Sequence, residues 1–399
     1  LDPRLLSTVA PAVAKAAIES GVAQKKIDKW DDYVIELNKR LGLDNSIIRI
    51  IGNKARKDPR RIVFSEADNL KILKAVSILY DEGICYPILL GNKEKIKKIA
   101  SGNGVDISEL QIIDPRSDAA EEMRKRYAET YFKKRQRKGV NEHESKKAVL
   151  DRNAFGCLMV DAGDADTMIS GLTKNYVDAI RPALQIVGTD DGVQKIAGMY
   201  LLLTKKGPLF MADATVNYNP TAEELADITL LAAKEIRSFN IVPRIAMLSY
   251  SNFGSNTSPE AKLVAEATRI VKQKDPTLIV DGEMQAWLPF NNEVLKENYS
   301  FSSLVDQEVN TLIFPNLAAG NVAYNLLKEV GGADLIGPIL LGLKKPVHVL
   351  QLGSSVRSII NMANIAVLDA QLKCSSETTK EKIKESVYWE KLKKRHLNG

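Results

Sequence analysis

The stretch RRIVFSEADNLKILKAVSILYDEGICYPILLG, residues 60–91, carries a strand, a helix and a second strand in direct succession. RIVFSE is rich in strand-forming residues, Asn69–Tyr80 has apolar residues at helical spacing, and YPILLG again favours a strand. A helix over Lys93–Ala100 and a strand at LQIIDP continue the series. This βαβαβ order predicts a parallel sheet, because parallel neighbours need a crossover connection.

The alternation continues along the chain. A charged helix is expected over Ser117–Arg137, after which the apolar segment 153–163 runs into ADTMISG and LTKNYVDAIRPALQIVG, a strand, a turn and a helix. Four later strand candidates are separated by helical segments: PLFMADATV, RIAMLSY, TLIVDGEM and NTLIF. The sequence therefore predicts an α/β protein with two α/β/α domains, mainly parallel sheets and a cleft between the domains, preceded by a short helical segment.

We predict the following domain boundaries. Residues 1–45 should be helical and form a linker, with one helix from Pro3 and another over Tyr33–Leu41. Residues 46–195 together with 332–371 should form the first domain, and residues 196–331 the second. Residues 372–399 should be a charged helical tail, with an apolar face at Val387, Tyr388, Trp389 and Leu392.

The closing segment Pro346–Gln371, PVHVLQLGSSVRSIINMANIAVLDAQ, predicts a strand, a sharp turn and a long helix. Gly353 permits the reversal, and Ser354 or Ser355 can cap the helix. Backbone donors at such a helix start attract anions. The turn is therefore either a catalytic site or an element that only binds a ligand.

Composition excludes several classes of function. Among 399 residues 45% are hydrophobic and 27% charged, as in ordinary globular proteins, and the apolar runs are too short for a membrane span. Three scattered cysteines predict reduced thiols in the cytoplasm, without disulfides or a metal site. A net charge of +6 and 6% aromatic residues argue against nucleic acid as a partner, and no dinucleotide or P-loop fingerprint occurs.

Small polar residues follow several predicted strands, where open α/β sheets bind ligands. Hydroxyl and amide groups suit phosphates or a pantetheine chain, although ordinary turn chemistry gives the same composition. Two arginines raise similar alternatives. Arg135, in the run FKKRQRKG, lies on a solvated face or at a ligand, and Arg181, flanked by apolar residues, should pair internally or face a polar cleft.

Seven motifs occur in a recognisable order: LGN at Leu90, MISG at Met168, DAIRPALQIV at Asp178, MLSYSNFGS at Met247, VDGEMQ at Val280, LIFPNLAAGN at Leu312 and GPILLGLKKPVHVL at Gly337. From about Arg60 to Gln371 the chain thus resembles the phosphotransacetylases. Its opening LDPRLLSTVAPAVAKAAIESGVA resembles the end of the catalytic part of bacterial NADP-dependent malic enzymes, some of which carry a phosphotransacetylase-like C-terminal domain. We therefore expect a C-terminal fragment of such an enzyme.

The resemblance implies a site for acetyl transfer between phosphate and coenzyme A, with an aspartate base and with arginine and serine groups at the phosphate and the oxyanion. Here the corresponding positions hold Gln351, Leu352 and Ser358, so no catalytic residue is expected. Two phosphate-contacting arginines are retained, while the loop from Ser249 lacks the family's lysine and Trp287 replaces a small or acidic residue. The expected ligand-binding residues are Arg135, Arg181, Ser249, Ser251, Asn252, Gly254, Ser255, Asn316, Asn321, Gly353 and Ser354.

The resemblance thus implies a regulatory domain that binds acetyl-CoA, or CoA, as an effector of an attached malic enzyme. NADP and a divalent metal would then belong only to the malic enzyme part of the same polypeptide, which decarboxylates malate to pyruvate. A homo-oligomer is expected, and neither nucleic acid nor a membrane is expected as a partner. Two alternatives stay open: an active phosphate acetyltransferase, and a purely structural oligomerisation domain.

Overall fold

The computed structural model describes residues 4–23, 25, 27, 29–30, 33, 37, 46–204, 207–331 and 334–373. The chain divides into two units, Leu1–Ile50 and Ile51–Gly399. The first unit contains helix α1 (Arg4–Glu19), as expected, and the start of α2 (Ser46–Lys57). The helix predicted over Tyr33–Leu41 lies largely outside the described residues, as does the tail helix, including Val387, Tyr388, Trp389 and Leu392.

The second unit contains two sheets, and the first is entirely parallel. Its strands are β1 (Arg60–Phe64), β2 (Cys85–Leu90), β3 (Gln111–Ile113), β4 (Thr167–Ser170) and β11 (Val347–Val349), in the order β11-β4-β1-β2-β3. β1 and β4 are buried along their whole length, as expected for strands covered on both faces. The parallel sheet predicted from residues 60–113 is confirmed.

Seven helices belong to this first lobe: α3 (Leu70–Asp81), α4 (Lys93–Gly102), α5 (Glu121–Arg135), α6 (Glu142–Ala148), α7 (Arg152–Asp161), α8 (Tyr176–Ile186) and α13 (Val356–Lys373). Asn69, Asn92 and Asp151 cap α3, α4 and α7 by accepting backbone N–H bonds. The apolar segment 153–163 is mostly the helix α7, and the strand that follows it begins only at Thr167.

The second lobe has a mixed sheet. Its strands are β5 (Ala197–Thr204), β6 (Gly207–Ala212), β7 (Arg244–Leu248), β8 (Ile279–Met284), β9 (Thr311–Ile313) and β10 (Asp334–Leu341), in the order β10-β5-β6-β9-β7-β8. β6, β9, β7 and β8 are parallel, whereas β5 and β10 add two antiparallel strands. The helices are α9 (Ala222–Ser238), α10 (Pro259–Lys274), α11 (Asn292–Asn298) and α12 (Leu317–Glu329). Mainly parallel α/β architecture is therefore confirmed.

The predicted boundary at residues 331/332 is wrong for one strand. β10 was expected in the first domain, but it pairs with β5, with Leu335 opposite Leu202 and Ile339 opposite Met199. Its apolar residues are buried in the second lobe, which fixes its register there. The second lobe therefore extends over residues 197–341, and the return to the first sheet begins with β11.

The chain crosses between the lobes twice, and the two crossing segments are paired. Thr189 and Leu343 form an antiparallel bridge. The Asp190 N–H donates to the Gly342 carbonyl at 2.8 Å, and the Lys344 N–H donates to the Gly188 carbonyl at 3.0 Å. We call residues 188–190 with 342–344 the hinge ribbon. Within the described part of the chain, no helix is long and apolar enough to cross a membrane.

Candidate functional site

The turn after β11 is held from both sides. The Leu350 N–H donates to the Ser170 carbonyl at 2.7 Å, and Gly353 has a φ of +76°, which suits glycine at this reversal. The Ser354 hydroxyl donates to the Gln351 carbonyl at 2.8 Å, and the Lys71 ammonium donates to the Gly353 carbonyl at 3.0 Å. The start of the helix is therefore fixed on the edge of the sheet.

Of the two predicted caps, Ser355 is the one that acts on α13. The Ser358 N–H donates to the Ser355 hydroxyl at 3.1 Å, and the two hydroxyls lie 2.9 Å apart. Ser354 instead closes the turn through its bond to Gln351. The shape predicted for Pro346–Gln371, a strand followed by a turn and a helix, is confirmed.

A pocket of about 270 Å³ opens at this turn and is lined by both lobes. The first lobe contributes Leu350, Gln351, Leu352, Gly353, Ser354, Ser355, Ser358 and Met362, and the second contributes Lys328, Leu335 and Gly337. Its volume is slightly below the range of pockets for drug-sized ligands. It is therefore large enough for a small group only, and its lining comes from both lobes.

Gln351 joins the lobes at this pocket. Its Nε2 donates to the Tyr200 hydroxyl at 2.9 Å, and the Tyr324 hydroxyl lies 3.5 Å away. The rings of Tyr200 and Tyr324 are stacked with centroids 4.3 Å apart. Burial and the adjacent Tyr324 raise the pKa of Tyr200, so this phenol stays protonated. Neither tyrosine was predicted: Tyr200 lies in the apolar strand β5, and Tyr324 lies on the helix α12.

The loop after β7 brings together five predicted residues, Ser249, Ser251, Asn252, Gly254 and Ser255. Its organiser is the Glu283 carboxylate of β8, which is buried and was not predicted. Glu283 accepts from the Ser251 hydroxyl at 2.9 Å and from the Gly254 N–H at 2.6 Å. The Ser251 N–H donates to the Ser249 hydroxyl at 3.3 Å, and the Asn252 N–H donates to the Ser255 hydroxyl at 2.9 Å. These polar groups therefore shape the loop itself.

Glu283→Ala is expected to destabilise the protein by about 1–3 kcal/mol, because it leaves donors of the loop unpaired. The loss should concentrate in the loop, where amide hydrogen exchange at residues 251–256 should rise well above that of the sheet. Glu297→Ala, at an exposed position of α11, is the control and should change neither quantity. Unchanged exchange in the loop would show that Glu283 does not hold it.

Asn316 and Asn321 lie on a third element, the start of α12. The Asn316 side chain caps this helix by accepting the Ala319 N–H at 2.9 Å, and Asn321 Nδ2 lies 3.5 Å from the Ala214 carbonyl. The helix rests on a loop shaped by Asp213, another buried carboxylate that was not predicted. Asp213 accepts four backbone N–H bonds, from Gly198, Thr215, Val216 and Asn217.

Arg135 and Arg181, the two arginines expected at a phosphate, lie on neighbouring helices. The Tyr131 hydroxyl of α5 is 3.3 Å from Gln185 Oε1 of α8, and Lys134 Nζ donates to the Ile186 carbonyl at 2.7 Å. Arg135, at the end of α5, has a buried Nε without a hydrogen-bond partner. Arg181 is 58% exposed and lies 3.4 Å from Asp178, so its partner is a surface carboxylate and not a buried one. Gly353 and Ser354 line the pocket, whereas the two arginines are not among its lining residues.

Comparison with known proteins identifies the family of this chain. The sequence profile described as phosphate acetyl/butaryl transferase matches residues 46–367. The chain is 37% identical to an Escherichia coli protein named NADP-dependent malic enzyme, over 93% of this chain and 49% of that protein. It is 35% identical to a Bacillus subtilis phosphate acetyltransferase, over 78% of this chain and 94% of that protein.

Among solved structures, a Streptococcus pyogenes phosphotransacetylase is 34% identical, with a TM-score of 0.74, and the match covers 81% of this chain and 98% of that one. The chain spans about half the length of the malic enzymes that it matches. The family is nevertheless covered almost completely, since the profile and the transferase relatives extend over both lobes. The chain therefore belongs to the phosphate acetyl/butaryl transferase family.

Proposed function

We propose that this chain is the phosphotransacetylase-like regulatory domain of an NADP-dependent malic enzyme, and that it binds acetyl-CoA, or CoA, without transferring the acetyl group. The observation that carries the proposal is the lining of the pocket. Among the described residues that line it, none carries a carboxylate or an imidazole, and Lys328 is the one cation. A general base within hydrogen-bond reach of the thiol is what acetyl transfer requires.

The residues at the turn support this reading individually. The Gln351 amide nitrogen is engaged with Tyr200, and the Leu352 side chain is 63% exposed and has no hydrogen-bond donor for an oxyanion. Ser358 is hydrogen bonded to Ser355, and a serine hydroxyl has no basicity near neutral pH. Loss of general-base catalysis alone costs about 10²- to 10⁴-fold in rate. Both lobes contribute to the pocket, so an effector that enters it favours one arrangement of the lobes.

The malic enzyme assignment rests on relatives that match along 93% of this chain. In this proposal the remaining part of the polypeptide decarboxylates malate to pyruvate and carries the NADP and divalent-metal sites. A homo-oligomer is also proposed. Val322 and Leu326 of α12 and Val330, which caps its C-terminus, are exposed at four-residue spacing and provide an apolar stripe for an interface. A cytoplasmic location remains a prediction, supported by the buried free thiols of Cys85 and Cys157.

Titration calorimetry with acetyl-CoA tests the proposal. Wild-type protein should bind, and Arg181→Ala should weaken binding by about 10- to 100-fold if the guanidinium contacts a phosphate, since such bonds contribute about 1.5–3 kcal/mol. Arg269→Ala is a matched control, because Arg269 also forms an exposed i, i+3 pair, with Glu266. Neither variant should change the melting temperature by more than about 2 °C. Absence of binding by the wild type contradicts the effector role.

An active phosphate acetyltransferase is the second candidate, because relatives with that name match nearly end to end. Formation of acetyl-CoA from acetyl phosphate and CoA, compared with heat-inactivated protein, separates the two functions. We expect no turnover above the inactivated control. Turnover above it would establish the transferase. A purely structural role would be favoured by two results together: the chain does not bind acetyl-CoA, and a full-length protein from which it is deleted no longer forms oligomers.

A further inference from the structure

Ionisable side chains from both lobes meet beside the hinge ribbon. On α13, Asp369 lies 3.0 Å from the Lys373 ammonium and 3.5 Å from Nε2 of the fully buried His348 on β11. Lys373 also donates to the carbonyl of Leu343, a residue of the ribbon itself, at 3.1 Å. The last turn of α13 is therefore attached to the segment on which the lobes are connected.

The second lobe contributes α9 to the same place. A Cβ added to Gly342 of the ribbon would lie 3.2 Å from the Leu231 side chain, so α9 packs directly on the crossing. Lys234 pairs with Asp190 of the ribbon at 3.7 Å. Glu235 follows in the chain, and its Oε1 is buried without a hydrogen-bond partner. A buried carboxylate oxygen without a hydrogen-bond partner is costly, and the charge of Asp369 acts on the same carboxylate.

Charge balance at the ribbon depends on the protonation of Glu235. Asp369 and Asp190 carry two negative charges opposite the ammonium groups of Lys373 and Lys234, with the His348 imidazole against Asp369. An ionised Glu235 adds a further negative charge beside the Asp369 carboxylate. Burial, and then the proximity of Asp369, raise the pKa of Glu235 to about 8, although Lys373 and Lys234 act in the opposite direction.

We propose that Glu235 is a proton-sensitive element of the hinge. In its neutral form Glu235 leaves the packing of α9 on the ribbon undisturbed, and the ribbon stays paired. In its ionised form Glu235 repels Asp369 across the boundary between the lobes, and the ribbon loosens. Because the pocket at Gln351 is lined by both lobes, the same proton then influences the shape of that pocket.

The stability effect has a definite sign. A carboxyl whose pKa is raised in the folded state from 4.5 to about 8 contributes stability that is fully present below pH 4.5 and is lost as the pH rises through about 8. Asp369 behaves in the opposite way. Burial opposes its ionisation, but Lys373 and then His348 hold its pKa below the usual range, so it remains charged over this interval.

Amide hydrogen exchange on the full chain tests the proposal, because the Asp190 and Lys344 N–H groups donate across the ribbon. After correction for intrinsic exchange, their protection factors should fall about tenfold between about pH 6.5 and about pH 9.5 in the wild type. In Glu235→Gln they should change less than about twofold. Glu223→Gln, an exposed position on the same helix, should behave like the wild type.

Asp369→Asn provides a second variant, because removal of the other carboxylate should also flatten the pH dependence of protection. If Glu235→Gln folds poorly, the pH dependence of the protection factors in Asp369→Asn still tests the proposal. Constant wild-type protection across the interval would overturn the proposal. So would a fall of equal size in the wild type and in both substituted proteins. These measurements use no ligand, so their outcome is independent of acetyl-CoA binding.

Discussion

Asp166→Ala should lower the free energy of unfolding by about 3–5 kcal/mol, because it leaves the buried Arg61 charge without a carboxylate and with only the carbonyls of Gly163 and Asp164 as acceptors. Asp166 Oδ1 lies 2.7 Å from Arg61 Nη2, and Oδ2 accepts from Arg61 Nε at 3.1 Å and from the Arg61 N–H at 2.8 Å. The side chains are only 9% and 4% exposed. This pair joins the start of β1 to the loop before β4, so its loss should weaken the centre of the first sheet.

Urea unfolding measured by circular dichroism checks this expectation. Asp166→Asn retains an acceptor but removes the charge, and should fall between the wild type and Asp166→Ala. Asp178→Ala, which breaks the exposed pair with Arg181, should cost less than about 1 kcal/mol. A loss below about 1 kcal/mol in Asp166→Ala would mean that the Gly163 and Asp164 carbonyls, or water, suffice to stabilise the Arg61 charge.

Gly320→Ala is the second substitution for which we expect a large effect. A Cβ at this position would lie 2.4 Å from the Asp213 carbonyl oxygen and 3.1 Å from Ala214 Cα, so α12 would have to move away from the loop after β6. The expected destabilisation is about 1–3 kcal/mol, despite the helix propensity gained with alanine. Displacement of α12 should also disturb the stacked rings of Tyr200 and Tyr324.

Gly102→Ala is the matched control, since nothing lies within 4 Å of its Cβ position in α4 and its φ is not left-handed. It should be neutral or stabilising by up to about 1 kcal/mol. Urea unfolding compares the two stabilities, and near-ultraviolet circular dichroism reports the tyrosine stack. Equal stabilities of both variants, with unchanged tyrosine signals, would show that the backbone adapts at Gly320 without strain.

The sequence predicts most of the fold because its periodicity is local. The series from Arg60 to Ile113 alternates strand and helix patterns, and Asn69 and Asn92 mark two helix starts. The exceptions are β5 and β10, which are buried along most of their length and pair antiparallel. A short apolar run does not show which strand it will pair with, and Leu335 and Leu202 are far apart in sequence. The sheet of β10 could therefore not be read from the chain.

The candidate site was predictable only in part. The turn around Gly353 and the loop from Ser249 follow from their composition, but the organising groups, Glu283 and Gln351, act through contacts distant in sequence. Gln351 meets Tyr200 from the other lobe, across 151 positions. The exposure of Arg181 could likewise not be predicted, because its apolar neighbours in the sequence do not show which face of α8 is exposed to solvent. The ligand assignments themselves remain predictions.

The late position of β11 and α13 also bears on how this chain folds during synthesis. Residues 197–341 form a continuous lobe, whereas the first sheet lacks its edge strand until residues 347–349 have emerged, and β1 and β4 await the cover of α13. The second lobe can therefore be fully folded before the first lobe is complete. The apolar strands of the first lobe are then exposed on the ribosome and can aggregate. Completion of the first lobe is a late step that depends on long-range contacts.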